Sequence, residues 1–201
     1  MIPSVNLVTG EVHIYKTAHH PRLSRDYRER VVDVALATSA APTYFPTHKS
    51  ASGLPLIDGG VWANNPVGIA AVEGLTMLGW AKGEFKILSL GCTDEPLTVQ
   101  QSPGATWGLT QWMLRIVGVM MRAQSSSSTG IAQHLAGHEN VLRISPVVSP
   151  GRYSLDLTTQ LAELRGLGDS EARRAMPSIG VFFEEEASPF TPSRAASSAV
   201  R

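Results

Sequence analysis

The sequence predicts an α/β fold, and three observations predict it. Short apolar runs of strand length recur at Leu54–Ile57, Phe85–Leu90 and Val141–Ile144. Longer stretches with apolar residues at helical spacing lie between and after them. Gly, Pro and Asn mark the boundaries. Strands alternating with helices build a sheet covered by helices. The almost continuous apolar character of Phe85–Leu90 is that of a strand buried on both faces, as in a mostly parallel sheet.

The elements follow in order. Val5–Val8 and Val12–Tyr15 flank Thr9-Gly10 and read as a hairpin with Gly at the turn. Ala18–Leu23 is a connector. Asp26–Thr38 carries Tyr27, Val31, Val34 and Leu36 on a broken helical period, with Ser24 as candidate N-cap and Pro42 and Pro46 beyond its end. His48–Gly53 reads as a surface turn and Leu54–Ile57 as a strand. Pro66 suits the first turn of a helix. The buried side of that helix is marked by Val67, Ala70, Ala71, Gly74, Leu75 and Leu78, and its end by Gly79. After the strand at Phe85–Leu90 comes Gly91-Cys92-Thr93, then a long helix over Pro103–Gln124. Ser125–Thr129 predicts a break, after which Ile131–Leu135 resumes the helix. Val141–Ile144 is the last strand, and Leu155–Leu167 and Ser170–Met176 are short helices. Residues 1–183 form the structured portion. Residues 184–201, acidic and then rich in Ser, Ala and Pro, read as a disordered tail.

With 201 residues, 43% of them hydrophobic, one domain with a real core is expected. Seventeen basic and seventeen acidic side chains balance, so charge offers no case for nucleic acid or an anionic membrane. Arg22, Arg25, Arg28 and Arg30 crowd one segment, but Asp26 and Glu29 interrupt them, as on a solvated face. The single cysteine, Cys92, excludes an internal disulfide and a cysteine metal cage, and reads as a small buried residue. Met1–Asn6 has no basic, apolar leader pattern. The most apolar stretch, Trp107–Met121, contains Gln111 and Arg115 and is too short to span a bilayer. The expectation is a cytoplasmic protein without a transmembrane segment.

The chemistry centres on Asp58. The run Leu54–Ile57 delivers its carboxylate to a strand end, and Gly59-Gly60 lets the backbone turn sharply and another group approach closely. An isolated Asp-Gly-Gly reads as a turn aspartate that closes on nearby N–H groups. Asn64 and Asn65 precede Pro66 and either cap the following helix or brace the Asp58 loop. Upstream lies Ala37-Thr38-Ser39-Ala40-Ala41-Pro42-Thr43-Tyr44-Phe45-Pro46. Taken together, Ala37–Pro46 and Ile57–Pro66 closely resemble the C-terminal half of patatin-like phospholipases, with weaker support at Ile87–Thr93. The resemblance extends over Val5–Met176.

That resemblance implies hydrolysis of lipid or acyl esters by a Ser-Asp dyad, with Asp58 as the dyad base and Gly59, Gly60, Asn64 and Asn65 shaping the site. It implies no metal and no cofactor. The family's Ser sits in a Gly-x-Ser-x-Gly elbow before the Asp, and a Gly-rich oxyanion loop opens its domain; this sequence contains neither. The implied fold is therefore part of a three-layer patatin-like sandwich whose N-terminal strands and nucleophile elbow belong upstream of Met1. An N-terminal half carrying the Ser elbow becomes the expected partner. The chain alone is expected to be inactive and a poor independent fold, with an exposed sheet edge.

Other candidates are weaker. Ser39 lacks the flanking glycines of an elbow and reads as a helix-end serine; Ser89 has Ile87 where an elbow needs Gly. His134 and His138 have the i, i+4 spacing of helical metal ligands, but no third ligand accompanies them and Gly137 intervenes. Trp107, Trp112, Met113, Ile116, Met120 and Met121 read as a core stripe or a surface between fragments, with an acyl-chain groove as the functional alternative. Two rival functions stand beside the hydrolase. One is a non-catalytic binding or regulatory module derived from the same fold. The other is a metal hydrolase using His19, His20, His48 and Asp58.

Overall fold

The computed structural model describes residues 1–96, 108–109, 112 and 115–193. The chain opens with a hairpin of β1 (Ile2–Asn6) and β2 (Val12–Tyr15), in which Val5 faces Val12. Gly10 takes φ 72°, and its N–H donates to the Asn6 carbonyl at 2.8 Å. The first strand lies earlier than its Val5–Val8 pattern indicates. The Asn6 side-chain oxygen accepts the Val8 N–H at 3.0 Å, which draws Leu7 and Val8 into the exposed turn.

A four-stranded sheet grows on this hairpin in the order β2-β1-β4-β3, with β3 at His48–Lys49 and β4 at Pro55–Asp58. Every pairing in it is antiparallel. This corrects the mostly parallel expectation: β4 fills the free edge of β1 and runs against it. It also makes the start of the His48–Gly53 turn an edge strand. Among the described residues only the second sheet is parallel, pairing β5 (Ile87–Leu90) with β6 (Val141–Ile144). A parallel bridge between Asp94 and Val147 continues it. Burial of β5 on both faces does not hold throughout, since Leu90 is exposed.

The helix predicted over Asp26–Thr38 divides. Asp26–Arg28 makes one 3-10 turn, Glu29 and Arg30 are extended, and α1 spans Val31–Thr38. Arg30, not Ser24, stands at its N-cap, and its guanidinium pairs with Asp33 at 2.7 Å. Val34 and Ala37 of α1 pack with Tyr15 and Leu56 into one core.

Two helices follow Asp58, α2 (Gly60–Ala63) and α3 (Val67–Thr76). Val67, Ala71 and Gly74 face inward as their spacing indicates, whereas Ala70 and Leu78 are exposed. The helix ends at Thr76, before Gly79 at φ 71°. Its main partner is α4, a 21-residue helix over Ile116–Ala136. It runs unbroken through Ser125–Thr129, which corrects the predicted break. The small hydroxyl side chains are what bring α3 close: a Cβ on Gly68 would stand 2.9 Å from the Ser128 carbonyl. Val67, Ala71, Phe85, Ala132 and Ala136 form the second core here.

The two short helices expected near the C-terminus are one, α5 (Leu161–Ile179), preceded by a 3-10 turn at Thr158–Gln160. Gly166 and Gly168 cost such a helix about 1 kcal/mol each, too little to end it. Residues 184–193 carry no helix or strand, and both Ser193 N–H and Oγ donate to the Ala18 carbonyl at 2.7 and 2.8 Å. Residues 194–201 lie outside the described residues. So do Trp107, Met113 and most of the segment predicted to start the long helix. In the described part of its apolar stripe Trp112, Ile116 and Met120 are exposed and Met121 is half-buried, so the stripe does not form a core among the described residues. Among the described residues no helix is long and apolar enough to cross a membrane.

Candidate active site around Asp58

Asp58 ends β4, where the ladder to β1 runs out opposite Ser4. Its backbone then leaves the sheet and joins the end of α1. Asp58 N–H donates to the Ala40 carbonyl at 3.0 Å, and Gly59 N–H donates to the Thr38 carbonyl at 3.3 Å. Thr38 Oγ1 donates in turn to the Pro3 carbonyl at 2.7 Å. The segments Ala37–Pro46 and Ile57–Pro66, distant in sequence, are thus tied together at the carboxylate.

The side chain is fixed by one short bond, from Gly60 N–H to Asp58 Oδ1 at 2.6 Å. That contact is the turn closure expected of an Asp-Gly-Gly. It occupies one oxygen; Oδ2 takes no hydrogen bond among the described residues, and the group is partly buried. Gly59 is needed for space, and Gly60 is tightly placed against the carboxylate. A Cβ on Gly59 would stand 2.1 Å from the Pro3 carbonyl oxygen, and one on Gly60 3.0 Å from Asp58 Oδ1.

Neither asparagine caps the following helix α3. Pro66 is the N-cap of α3 and makes no side-chain cap bond. Asn65 is 3% exposed and turns away toward α4, its Nδ2 donating to the Ser125 carbonyl at 3.3 Å and to Thr129 Oγ1 at 3.0 Å. Its backbone carbonyl accepts Ser128 Oγ at 2.6 Å, and the same hydroxyl accepts Gly68 N–H at 2.9 Å. Asn65 therefore anchors the α2–α3 junction, and with it the chain that leaves Asp58, to α4. Asn64 is exposed and lines a polar cleft beside α4.

The remaining candidates fall elsewhere. Ser39 Oγ donates back to the Ala35 carbonyl at 2.8 Å, as a helix-end serine does. Ser89 is buried and accepts a bond from Arg143 at 2.8 Å. Ser4, across the ladder from Asp58, is fully buried with its hydroxyl unpartnered, so solvent and substrate do not reach it. Cys92 is exposed, not buried, because the chain turns outward after β5. The four groups of the metal alternative are not brought together. His19 Nε2 meets Glu73 at 2.8 Å, His20 Nδ1 accepts the Arg22 N–H, and His48 lies 4.0 Å from Asp33. Among the described residues no group of three His, Cys, Asp or Glu side chains could hold a metal ion. His134 is in α4, while Gly137 at φ 97° places His138 in a separate 3-10 turn.

Sequence reasoning missed two features. Thr43, a β-branched residue, adopts φ 74° in the turn that leads to exposed Tyr44 and Phe45. Glu73 of α3 is 8% exposed and held by Lys16 at 2.7 Å and His19 at 2.8 Å. Burial pushes its carboxyl up, but the bonds and charges of Lys16 and His19 outweigh this and hold it below the usual carboxylate range. An acidic residue at a helical core position was the available signal.

The family model for patatin-like phospholipases matches residues 8–71, which contain Asp58 and both segments tied to it. A protein named cGAMP-activated phospholipase from Pseudomonas aeruginosa is 31% identical over 88% of this chain and 54% of its own length. One of the same name from Vibrio cholerae is 32% identical over 86% of this chain and 52% of its length. Patatin-like protein 2 of Arabidopsis thaliana is 32% identical over 49% of this chain and 28% of its length. The chain thus spans about half the length of the cGAMP-activated relatives it matches.

Proposed function

The chain belongs to the patatin-like phospholipase family, and we propose that it supplies Asp58 as the base of a Ser-Asp lipid acyl hydrolase. The observation that carries this reading is the carboxylate itself. One oxygen is held by Gly60 N–H, the other takes no hydrogen bond among the described residues, and the turn is braced from α1, β1 and α4. A fixed carboxylate with a free oxygen can orient a serine hydroxyl and accept its proton.

The reaction then runs in two steps. The serine Oγ attacks the ester carbonyl carbon as its proton passes to Asp58, and that proton goes to the departing alcohol oxygen. Water next attacks the acyl-serine, losing its proton to Asp58, and the serine leaves with that proton. No Gly-x-Ser-x-Gly occurs in the 201 residues, so the serine and its oxyanion loop come from outside this sequence, from an N-terminal half of the same family. The substrate class is a lipid or other acyl ester, and the chemistry needs no metal.

The test joins the chain to such an N-terminal half, with cGAMP present and absent because of the relatives' names. The 201-residue chain alone is expected to turn over no p-nitrophenyl ester and to label with no fluorophosphonate. The joined protein is expected to do both. Asp58→Asn, which keeps the shape and removes the base, is expected to lower kcat by a factor on the order of 10²–10⁴. If the Asn variant keeps most of its kcat, Asp58 only closes the turn, and the non-catalytic module becomes the better account.

A further inference from the structure

We propose that the polar cleft at the carboxyl ends of β5 and β6 binds a phosphate ester, with Arg143 as the anion anchor. The proposal goes beyond the dyad reading and does not depend on turnover. The cleft has a volume of about 710 Å³, within the range of small-molecule sites. Asn64, Thr93, Arg122, Thr129, Arg143 and Ser145 are among its walls. Ligands of α/β sheets lie outside the carboxyl ends of parallel strands, which is where Thr93 and Ser145 follow β5 and β6.

Two independent observations point to an anion. The first is a cation without a counter-charge. Arg143 is half-buried, and the one hydrogen bond of its guanidinium among the described residues is to the Ser89 hydroxyl. The residues outside the described set contain no Asp or Glu, so no further carboxylate side chain is at hand. Of the carboxylates on the same wall, Asp94 pairs with Arg122 at 2.7 Å, while Glu95 accepts the Gly151 N–H at 3.0 Å and forms no ion pair with Arg143 or any other cation among the described residues. A half-buried guanidinium left in this state is costly unless an anion or water completes it.

The second observation is an idle donor. Unlike Ser4, Ser145 is only half-buried and lines the cleft; its Oγ is itself covered and has no hydrogen-bond partner among the described residues. It converges with Arg143 over bare Gly91, where a Cβ would stand 2.5 Å from Ser145 Oγ and 2.8 Å from Arg143 Nη2. A guanidinium fork with a hydroxyl beside it matches phosphate oxygens. The ligand is a phosphate ester and not a fatty-acid carboxylate, because the surrounding walls carry hydroxyl, amide and charged groups. An acyl tail would instead suit the apolar cleft of about 430 Å³ between the β5–β6 sheet and α5.

The source of the phosphate is a lipid headgroup or a free phosphate compound, and titration separates them. The full 201-residue chain is titrated by calorimetry with glycerophosphocholine, with inorganic phosphate and with sodium acetate as control. Saturable binding of either phosphate probe, weakened roughly tenfold by Arg143→Gln and partly restored by Arg143→Lys, is expected. Tighter binding of glycerophosphocholine assigns the lipid source; tighter binding of inorganic phosphate assigns the free one. Ser145→Ala is expected to weaken binding a few-fold without moving the unfolding midpoint, and it decides the matter should Arg143→Gln fail to fold. Binding no stronger than acetate, or unchanged in both variants, overturns the proposal. Because the titration reads no hydrolysis, that result leaves the role of Asp58 standing.

Discussion

Gly59 lies against Pro3 so closely that a Cβ at Gly59 would stand 2.1 Å from the Pro3 carbonyl oxygen. The same oxygen accepts Thr38 Oγ1 at 2.7 Å, so it cannot move away without breaking the link between β1 and the end of α1. The Asp58 turn is therefore built on a backbone-to-backbone contact, and the absent side chain is what permits it.

Gly59→Ala is accordingly expected to destabilise the protein by about 2–4 kcal/mol, since the atom in the way is backbone and cannot rotate aside. Gly10→Ala tests a different mechanism, because its Cβ meets nothing within 4 Å and only the φ of 72° is strained. Urea unfolding of both variants checks this. A Gly59→Ala loss no larger than that of Gly10→Ala would show that the Pro3 contact yields easily.

Ser128→Ala is expected to cost about 1–3 kcal/mol. The one hydroxyl both donates to the Asn65 carbonyl and accepts Gly68 N–H, and its removal leaves two buried backbone groups unpaired. Ser127→Ala, one residue away on the exposed face, is expected to change stability by less than about 0.5 kcal/mol. Thermal unfolding of the pair measures the contrast, and equal midpoints would refute the role given to Ser128.

Glu73 sets an acid limit. Its carboxyl binds a proton more weakly in the folded chain than in the unfolded one, owing to Lys16 and His19. The stability it contributes is present above the ordinary carboxylate pKa of about 4.3 and is lost as pH falls through the lower folded value. Glu73→Gln is expected to lower stability at pH 7 by about 1–3 kcal/mol and to flatten the decline below pH 5. Denaturant midpoints from pH 3 to 7 provide the measurement; parallel curves for variant and parent would mean that Glu73 titrates alike in both states.

Much of the local structure was legible in the residues. Asp58 ends a strand and Gly59-Gly60 turns the chain, because Leu56 and Ile57 demand burial and two glycines in succession do not continue a strand. The strands at Ile87–Leu90 and Val141–Ile144 and the inward face of α3 followed from apolar period in the same way. These features depend on neighbours in sequence. The partners depend on distant residues, and there local pattern is silent. That β4 pairs antiparallel with β1, and that α4 continues through Ser125–Thr129, were settled by which surfaces lay within reach. The hydroxyl of Ser128 looks like a helix breaker in sequence because its own backbone is the nearest competitor; in the fold it is engaged by Asn65 and Gly68. Arg143 and Ser145 are unremarked in sequence for the same reason: only the return of β6 beside β5 brings them over Gly91. The sequence alone determined which carboxylate stands at the strand end. The tertiary structure decided what holds it there, because bracing contacts form between segments whose separation along the chain carries no periodic signal.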